Sequence, residues 1–149
     1  MAFSPLNDDL IAQLNTASRK LTALLDDQLR PLNLSASNYY LLLKIDAKTG
    51  LTQDQLYRRI YLSPSNVTRR LDQLINLGFV RKVKTDTDRR AWRVLLTDDG
   101  AHLIDKINNQ LQHVNDLTFA GLSSTELTSL SAMLNTIDDN LSENSAHHN

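Results

Sequence analysis

The stretch LTQDQLYRRIYLSPSNVTRRLDQLINLGFVRKVKTDTDRRAWRVLLTDDGAHL, residues 51–103, decides the fold. Its first part predicts a short helix ending at Ile60, because Thr52 and Gln55 fit a capping box, in which each side chain satisfies a backbone amide of the other residue. After a turn at residues 61–62, Ser63-Pro64 predicts a longer helix, with serine as the cap and proline in the first turn. The predicted order is short helix, turn, longer helix.

The longer helix, predicted to end at Gly78, has an apolar and a polar face. Apolar side chains at helical spacing predict its buried side: Val67, Leu71, Leu74 and Ile75. At about 100° per residue, four polar side chains point away from this stripe: Ser65, Arg69, Gln73 and Asn76. Two more lie at its flanks: Asn66 and Arg70. The exposed face is therefore short, polar and basic.

Two β-prone runs follow this helix, at residues 79–84 and 92–96, with the turn-rich segment TDTDRRA between them. They predict a β-hairpin. The second run alternates cleanly, whereas the first does not, so the sequence leaves the register open. Thr97 then predicts the cap of another helix, which extends to Leu117.

Helices are also predicted on both sides of this region. A long amphipathic helix covers 8–30 and stops at Pro31, and a second covers 37–48, with Ser35 as its cap and Gly50 as its stop. Near the C-terminus, Ser123 and Glu126 form another capping box, followed by leucine and isoleucine at alternating spacings of three and four residues up to Leu141. The last residues, SENSAHHN, are typical of a frayed tail.

Charge is distributed unevenly along the 149 residues. The segment 52–96 contains ten basic and four acidic side chains, a net charge of +6, whereas the whole chain carries −1. The remainder therefore carries −7. Because affinity for a polyanion rises with the local number of Lys and Arg, this pattern is typical of a nucleic-acid-binding module in a non-binding scaffold. A solvated basic face has the same pattern, so charge alone leaves both interpretations open.

Several function classes lack the residues that they need. The absence of cysteine excludes disulfides, thiolate nucleophiles and thiol redox sensing. The four histidines are not spaced as metal ligands, and the chain has no phosphate loop or nucleophile elbow, so we expect no catalytic residue, no metal and no cofactor. The longest apolar run has five residues, against about 20 for a membrane span. We expect one soluble, cytoplasmic domain without membrane contact.

The segment 51–103 resembles the winged helix-turn-helix core of the MarR family of bacterial transcription regulators. Its most specific pieces are NVTRRLDQL, followed by the Gly78–Val80 turn, and DRRAWRVLLTDDG, which is similar to the family's wing signature. The resemblance implies a mainly α fold with a small β-hairpin wing, in which a winged helix-turn-helix core is flanked by N- and C-terminal dimerisation helices. The implied parts are an N-terminal dimerisation helix at 1–34, the DNA-binding core at 35–97, connecting and C-terminal dimerisation helices at 98–142, and a disordered tail at 143–149.

We expect the polar face of the longer helix to lie in the major groove, which is about 12 Å wide and admits one helix. Arginine pairs bidentately with guanine, and Asn or Gln with adenine. The candidates for base contacts are Ser65, Asn66, Arg69 and Gln73, and those for phosphate contacts are Thr68 and Arg70. In the wing, the resemblance implies that Arg90 enters the minor groove, that Asp88 orients it, and that Lys84 and Arg89 reach phosphates. Which of the two wing arginines points inward stays open.

The resemblance further implies a homodimer on a pseudo-palindromic site in double-stranded DNA, because one recognition helix covers few base pairs and a symmetric pair reads half-sites about 34 Å apart. It implies a repressor that occludes a promoter. Many relatives bind a small phenolic or anionic effector in a cleft; Tyr39 and Tyr40 are candidates for lining it, but core positions suit them better, and we assign no ligand residue. The alternative function is a winged-helix interaction module that docks an acidic protein, without steep salt dependence or preference for a palindrome.

Overall fold

The computed structural model describes residues 4–59, 64–85 and 91–146. Its elements, in chain order, are α1 (Ser4–Leu29), a 3₁₀ turn (Arg30–Leu32), α2 (Tyr39–Lys44), β1 (Leu51–Thr52), α3 (Gln53–Arg59), α4 (Pro64–Asn76), β2 (Val80–Lys84), β3 (Trp92–Leu96), α5 (Asp98–Thr118) and α6 (Ser124–Ala146). The chain divides into two compact units, Met1–Val114 and Asn115–Asn149. The prediction of a mainly helical fold with a small β wing is confirmed.

The hydrophobic core lies in the first unit. Its largest fully buried side chains come from the end of α1, α2, α3, α4, the sheet and α5: Leu29, Leu41, Leu42, Leu56, Leu71, Leu74, Ile107, Val67, Val80 and Val94. Burying a Val, Leu or Ile side chain stabilises the fold by about 1.5–3 kcal/mol. Three of these residues belong to the predicted stripe of α4, so this helix is held by one face and leaves the opposite face to solvent.

The C-terminus of α4 ends as the sequence predicts. Gly78 has φ +81°, a left-handed conformation that costs glycine little. Its N–H donates to the Ile75 carbonyl at 3.0 Å, and the Phe79 N–H donates to the Leu74 carbonyl, also at 3.0 Å. This pair of bonds is a Schellman motif, which satisfies the last carbonyls of the helix and turns the chain into β2. The predicted cap Ser63 and the turn before it lie outside the described residues.

The predicted hairpin of β2 and β3 is confirmed, but the sheet has a third strand that the sequence does not predict. The order is β1-β3-β2, and both pairings are antiparallel. The hairpin register runs from Val80 opposite Leu96 to Lys84 opposite Trp92. β1 is only two residues long and pairs with the other edge of β3. Alternation cannot be recognised in two residues, so no local signal predicts this strand.

The second helix is shorter than predicted at both ends. The expected span was 37–48, but α2 covers only Tyr39–Lys44. The Asp46 carboxylate accepts the N–H groups of Lys48 at 2.8 Å and Thr49 at 2.9 Å, and this local turn competes with the helix. The expected cap is also wrong: no side-chain bond caps α2, and the Asn38 side chain accepts the N–H of Ser35 at 2.9 Å instead.

Two of the remaining helices differ from the prediction at one end: α1 begins at Ser4 rather than at residue 8, and α6 continues further than predicted. The cap of α5 is confirmed, because Thr97 Oγ1 accepts the Gly100 N–H at 3.1 Å. The capping box of α6 is also confirmed, with reciprocal bonds of 2.8 and 3.2 Å between Ser123 and Glu126. However, α6 continues to Ala146, so the predicted disordered tail is wrong for residues 143–146. Neither Pro nor Gly interrupts this segment, so nothing in the sequence ends the helix earlier.

The length of α1, α5 and α6 does not make them membrane helices. Within the part of the chain that the structure describes, no helix combines the length and the apolar character that crossing a membrane requires.

Candidate nucleic-acid interface

The polar face of α4 is oriented as the sequence predicts. Val67, Leu71 and Leu74 are fully buried. The four residues predicted to point away from them are all exposed: Ser65, Arg69, Gln73 and Asn76. Asn66 and Arg70, which were predicted at the flanks, are half-buried, and so is Thr68. A polar ridge thus lies on top of a helix that is fixed from below.

Two neighbours on this face are joined by a hydrogen bond. Arg69 Nη2 donates to Asn66 Oδ1 at 3.2 Å. A guanidinium has five N–H donors, so this bond leaves enough of them for a bidentate contact with a guanine edge. The bond restricts the arginine side chain before any ligand is bound, which lowers the entropy that binding would cost.

The short helix before α4 is fixed by the predicted capping box. The Thr52 N–H donates to Gln55 Oε1 at 3.0 Å, and the Gln55 N–H donates to Thr52 Oγ1 at 3.1 Å. Leu56, one residue further on, is fully buried. α3 is thereby anchored at its first turn and by its core side chain, and β1 pairs the residue that caps it with β3.

Arg70 is in a different environment from the one that a phosphate contact needs. Its Nη1 donates to the Tyr40 hydroxyl, and its Cζ lies 5.9 Å from the centroid of the Tyr40 ring. Its Nε is buried and has no hydrogen-bond partner. The sequence places this residue at the flank of α4 but contains no sign of its partner on α2, which lies 30 residues earlier.

The wing presents a cation and an aromatic ring side by side. Lys84 is exposed at the end of β2, and its Nζ lies 5.4 Å from the centroid of the Trp92 ring on β3. Trp92 is 38% exposed. The alternating pattern of β3 did not mark it as a candidate for DNA contact. The Thr85 N–H donates to the Ala91 carbonyl at 3.1 Å. The other predicted wing residues, Asp88, Arg89 and Arg90, lie outside the described residues.

Several contacts fix the wing relative to α4. Thr97 Oγ1 donates to the Gly78 carbonyl at 2.6 Å, and the Thr97 N–H donates to the Phe79 carbonyl at 3.1 Å. Gly100 packs so closely on the Phe79 carbonyl that a Cβ atom there would overlap it. Lys82 of β2 forms an ion pair of 3.9 Å with Asp72 of α4. The wing and the polar face of α4 are therefore parts of one packed structure.

Not every basic residue of the segment 52–96 faces solvent freely. Arg93 Nη1 donates to the Thr49 carbonyl at 2.6 Å, which ties β3 to the loop before β1. Lys82 is engaged by Asp72 as described above. By contrast, Arg58 and Arg81 are exposed, although neither is among the residues predicted to contact DNA. The only signal for them was their contribution to the local charge.

The two tyrosines of α2 are half-buried and pack against the core. Their rings meet edge to face, with centroids 5.8 Å apart and an interplanar angle of 86°. Burial raises the pKa of Tyr39, and the neighbouring Tyr40 adds to the rise. Among the described residues, no group of three or more His, Asp or Glu side chains is arranged to hold a metal ion.

Comparison with known proteins supports this description. Residues 32–91 match the model of the MarR family. This part of the chain is therefore similar to the MarR family. The matched range contains α2, α3, α4, β1 and β2 and ends just before β3.

Solved structures extend the likeness in fold to the flanking helices. A cysteine-to-serine mutant of MarR from E. coli, crystallised in complex with operator DNA, is 23% identical; the match covers 92% of this chain and 98% of that one, with a TM-score of 0.79. The transcriptional regulator SlyA is 22% identical over 91% and 96% of the two chains, with a TM-score of 0.80. AbsC, a MarR family regulator from Streptomyces coelicolor, is 22% identical over 91% and 94%, also with a TM-score of 0.80. At these identities the likeness establishes the fold.

Proposed function

We propose that this protein is a homodimeric transcriptional regulator that binds a pseudo-palindromic site in double-stranded DNA and represses by occluding a promoter. The observation that carries the proposal is the polar face of α4. Ser65, Arg69 and Gln73 are exposed above a fully buried apolar stripe, on a helix that follows a capped short helix and precedes a basic wing. The protein would act in the cytoplasm, where bacterial DNA lies.

Sequence reading is assigned to the exposed face of α4. Arg69 would contact guanine, and Asn66 and Gln73 would contact adenine, because their donor and acceptor patterns match these bases in the major groove. Ser65, near the N-terminus of the helix, would contact a base edge, and Thr68 would contact a phosphate.

The wing is assigned to the DNA backbone and the minor groove. Lys84 is exposed at the end of β2, so it would contact a phosphate. Arg90, oriented by Asp88, would enter the minor groove, whose negative potential attracts arginine, and Arg89 would bind a nearby phosphate. The assignment of these three residues rests on the family resemblance.

Apolar side chains on the terminal helices support dimerisation. On α6, Met133, Leu134, Ile137 and Leu141 are exposed, and on α1 so are Leu10, Ile11 and Leu14. Exposed apolar residues at helical spacing are typical of a surface that is buried in an assembly. A second copy of this chain is the partner that the symmetry of a palindromic site requires.

Regulation by a small phenolic or anionic effector is part of the proposal on the strength of the family resemblance. A ligand that favours one spacing of the two recognition helices over another changes the affinity for DNA by its differential affinity for the two states. Titrating simple phenols and hydroxybenzoates into the protein–DNA complex tests this part separately.

Selection from random duplex DNA tests the proposed function. The purified protein is expected to enrich an inverted repeat, and its binding to the selected site should weaken steeply with salt, with a slope of about −0.9 per neutralised phosphate. Salt-sensitive binding without enrichment would contradict sequence-specific regulation. Failure to bind any duplex would instead favour the interaction module that docks an acidic protein.

A further inference from the structure

The two arginines of α4 are adjacent in sequence but point in different directions. Arg69 is exposed, whereas Arg70 turns toward α2 and donates from Nη1 to the Tyr40 hydroxyl. The Nε of Arg70 is buried without a partner. A buried N–H group without an acceptor is energetically unfavourable. A residue that binds phosphate at the surface would not need to bury its guanidinium in this way.

Tyr40 is a rigid anchor for this contact. Its ring packs edge to face against Tyr39, and the next two residues along α2, Leu41 and Leu42, are fully buried in the core. The phenol ring cannot move without disturbing that packing. A guanidinium seated on it is therefore fixed relative to the core.

The Arg70–Tyr40 hydrogen bond constrains the rotation of α4 about its axis, which apolar packing alone leaves free. The buried stripe of α4 sets the distance of the helix from the core, but the hydrophobic effect has no direction. A hydrogen bond depends on angle as well as distance. Arg70 therefore restricts the rotation of α4 about its own axis, and with it the direction of Arg69 and Gln73.

We propose that Arg70 is a positioning residue, which with Tyr40 fixes the orientation of the recognition helix and does not itself contact a phosphate. This inference rests on the proposed function, because the purpose of the contact is to aim the base-reading side chains. Arg70 then has a different role from the phosphate contact that the sequence predicts for it. We call the pair Arg70–Tyr40 the α2–α4 latch.

Removing the Tyr40 hydroxyl distinguishes a positioning role of Arg70 from a phosphate contact. In Tyr40→Phe the ring remains but the hydrogen bond to Arg70 is lost. If the latch aims α4, fewer molecules hold the binding-competent orientation, and the apparent affinity falls in proportion to that fraction. If Arg70 instead binds phosphate, Tyr40→Phe releases it, and affinity stays the same or rises. Tyr39→Phe is the matched control, because it removes the adjacent hydroxyl.

The first experiment measures binding to the selected inverted repeat at several salt concentrations. We expect Tyr40→Phe to weaken binding on the order of tenfold, or ~1.4 kcal/mol, with an unchanged salt slope, and Tyr39→Phe to bind as the wild type. The double variant Tyr40→Phe/Arg70→Gln should lose little more than Arg70→Gln alone, because the residues act through each other. Wild-type affinity in Tyr40→Phe, additive losses, or a slope reduced by about 1.8 per dimer in Arg70→Gln would overturn the proposal.

The second experiment does not need DNA. The buried Nε–H proton of Arg70 reports on the latch in an NMR spectrum of the free protein. It should exchange slowly with water in the wild type. In Tyr40→Phe it should exchange rapidly, because loss of the Nη1 hydrogen bond lets the guanidinium leave its buried position. Rapid exchange in the wild type would refute the latch. A wild-type protein that selects no DNA site would refute the proposed function, while this measurement would still decide whether the latch exists.

Discussion

Arg69→Ala and Lys84→Ala should impair DNA binding in two different ways. Arg69 is exposed on the polar face of α4 and has one hydrogen bond, to Asn66. A bidentate arginine–guanine contact discriminates between bases by about 1–3 kcal/mol, and a dimer contains two. The selected site should therefore lose about 30-fold or more in affinity, while non-specific duplexes lose little.

Lys84→Ala should weaken binding to all duplexes alike. A phosphate contact contributes about 0.9 to the salt slope, so a dimer that loses two has a slope about 1.8 smaller in magnitude. Over a fourfold change in salt this difference amounts to about twelvefold in relative affinity. In the free protein Lys84 lies over Trp92, and giving up this exposed cation–π contact costs about 0.5–1 kcal/mol, which lowers the net gain on binding.

Fluorescence anisotropy on the selected site and on a scrambled duplex of equal length, each at two salt concentrations, measures both effects. The ratio of specific to non-specific affinity should fall in Arg69→Ala and stay constant in Lys84→Ala. Asn76→Ala, on the same exposed face, serves as a control for surface substitution. If both variants reduced the slope equally and left the ratio unchanged, the division between base and phosphate contacts would be refuted.

Four further predictions concern stability and assembly. Gly100→Ala should lower the free energy of unfolding by about 1–3 kcal/mol in denaturant titrations, because its Cβ would overlap the Phe79 carbonyl; a loss below 0.5 kcal/mol, about what an ordinary surface substitution costs, would contradict that packing. Thr52→Ala should cost about 1 kcal/mol by removing the cap of α3, and Thr52→Ser should restore it. Backbone N–H groups of Thr49 and then Lys48 lower the pKa of Asp46, so the carboxylate stabilises the fold fully above its ordinary pKa of 3.8 and loses this effect as the pH falls through the lowered pKa. The difference in unfolding free energy between the wild type and Asp46→Ala should therefore vanish in acid. A difference that increased in acid would contradict the proposed role of the Asp46 turn. Ile137→Glu, at an exposed position of α6, should shift the protein to monomer in sedimentation equilibrium, and an unchanged dimer would place the interface elsewhere.

The sequence predicts those parts of the fold that local interactions determine. The capping boxes at Thr52–Gln55 and Ser123–Glu126 are confirmed by reciprocal hydrogen bonds, because both partners lie within one helical turn. The Gly78 turn is confirmed for the same reason. The buried and exposed faces of α4 follow from periodicity alone, so the candidate base-reading residues are oriented as predicted.

Features that depend on distant residues are not predicted. β1 exists only because β3, some 40 residues later, offers it an edge. The early end of α2 depends on how the Asp46 side chain competes with the helix for backbone N–H groups. Arg70 shows the limit most clearly at the candidate site: its position on the helical wheel is correct, but its partner Tyr40 belongs to another helix, and helical periodicity contains no information about that contact.

Methylation interference on the selected duplex tests most directly that the polar face of α4 reads DNA as a symmetric pair. Methylation of guanine N7 blocks the edge that Arg69 is expected to contact in the major groove. We predict two clusters of interfering guanines, about 10 base pairs apart and related by the dyad of the inverted repeat, and the loss of both in Arg69→Ala. A single cluster, or interference that persists in Arg69→Ala, would contradict this.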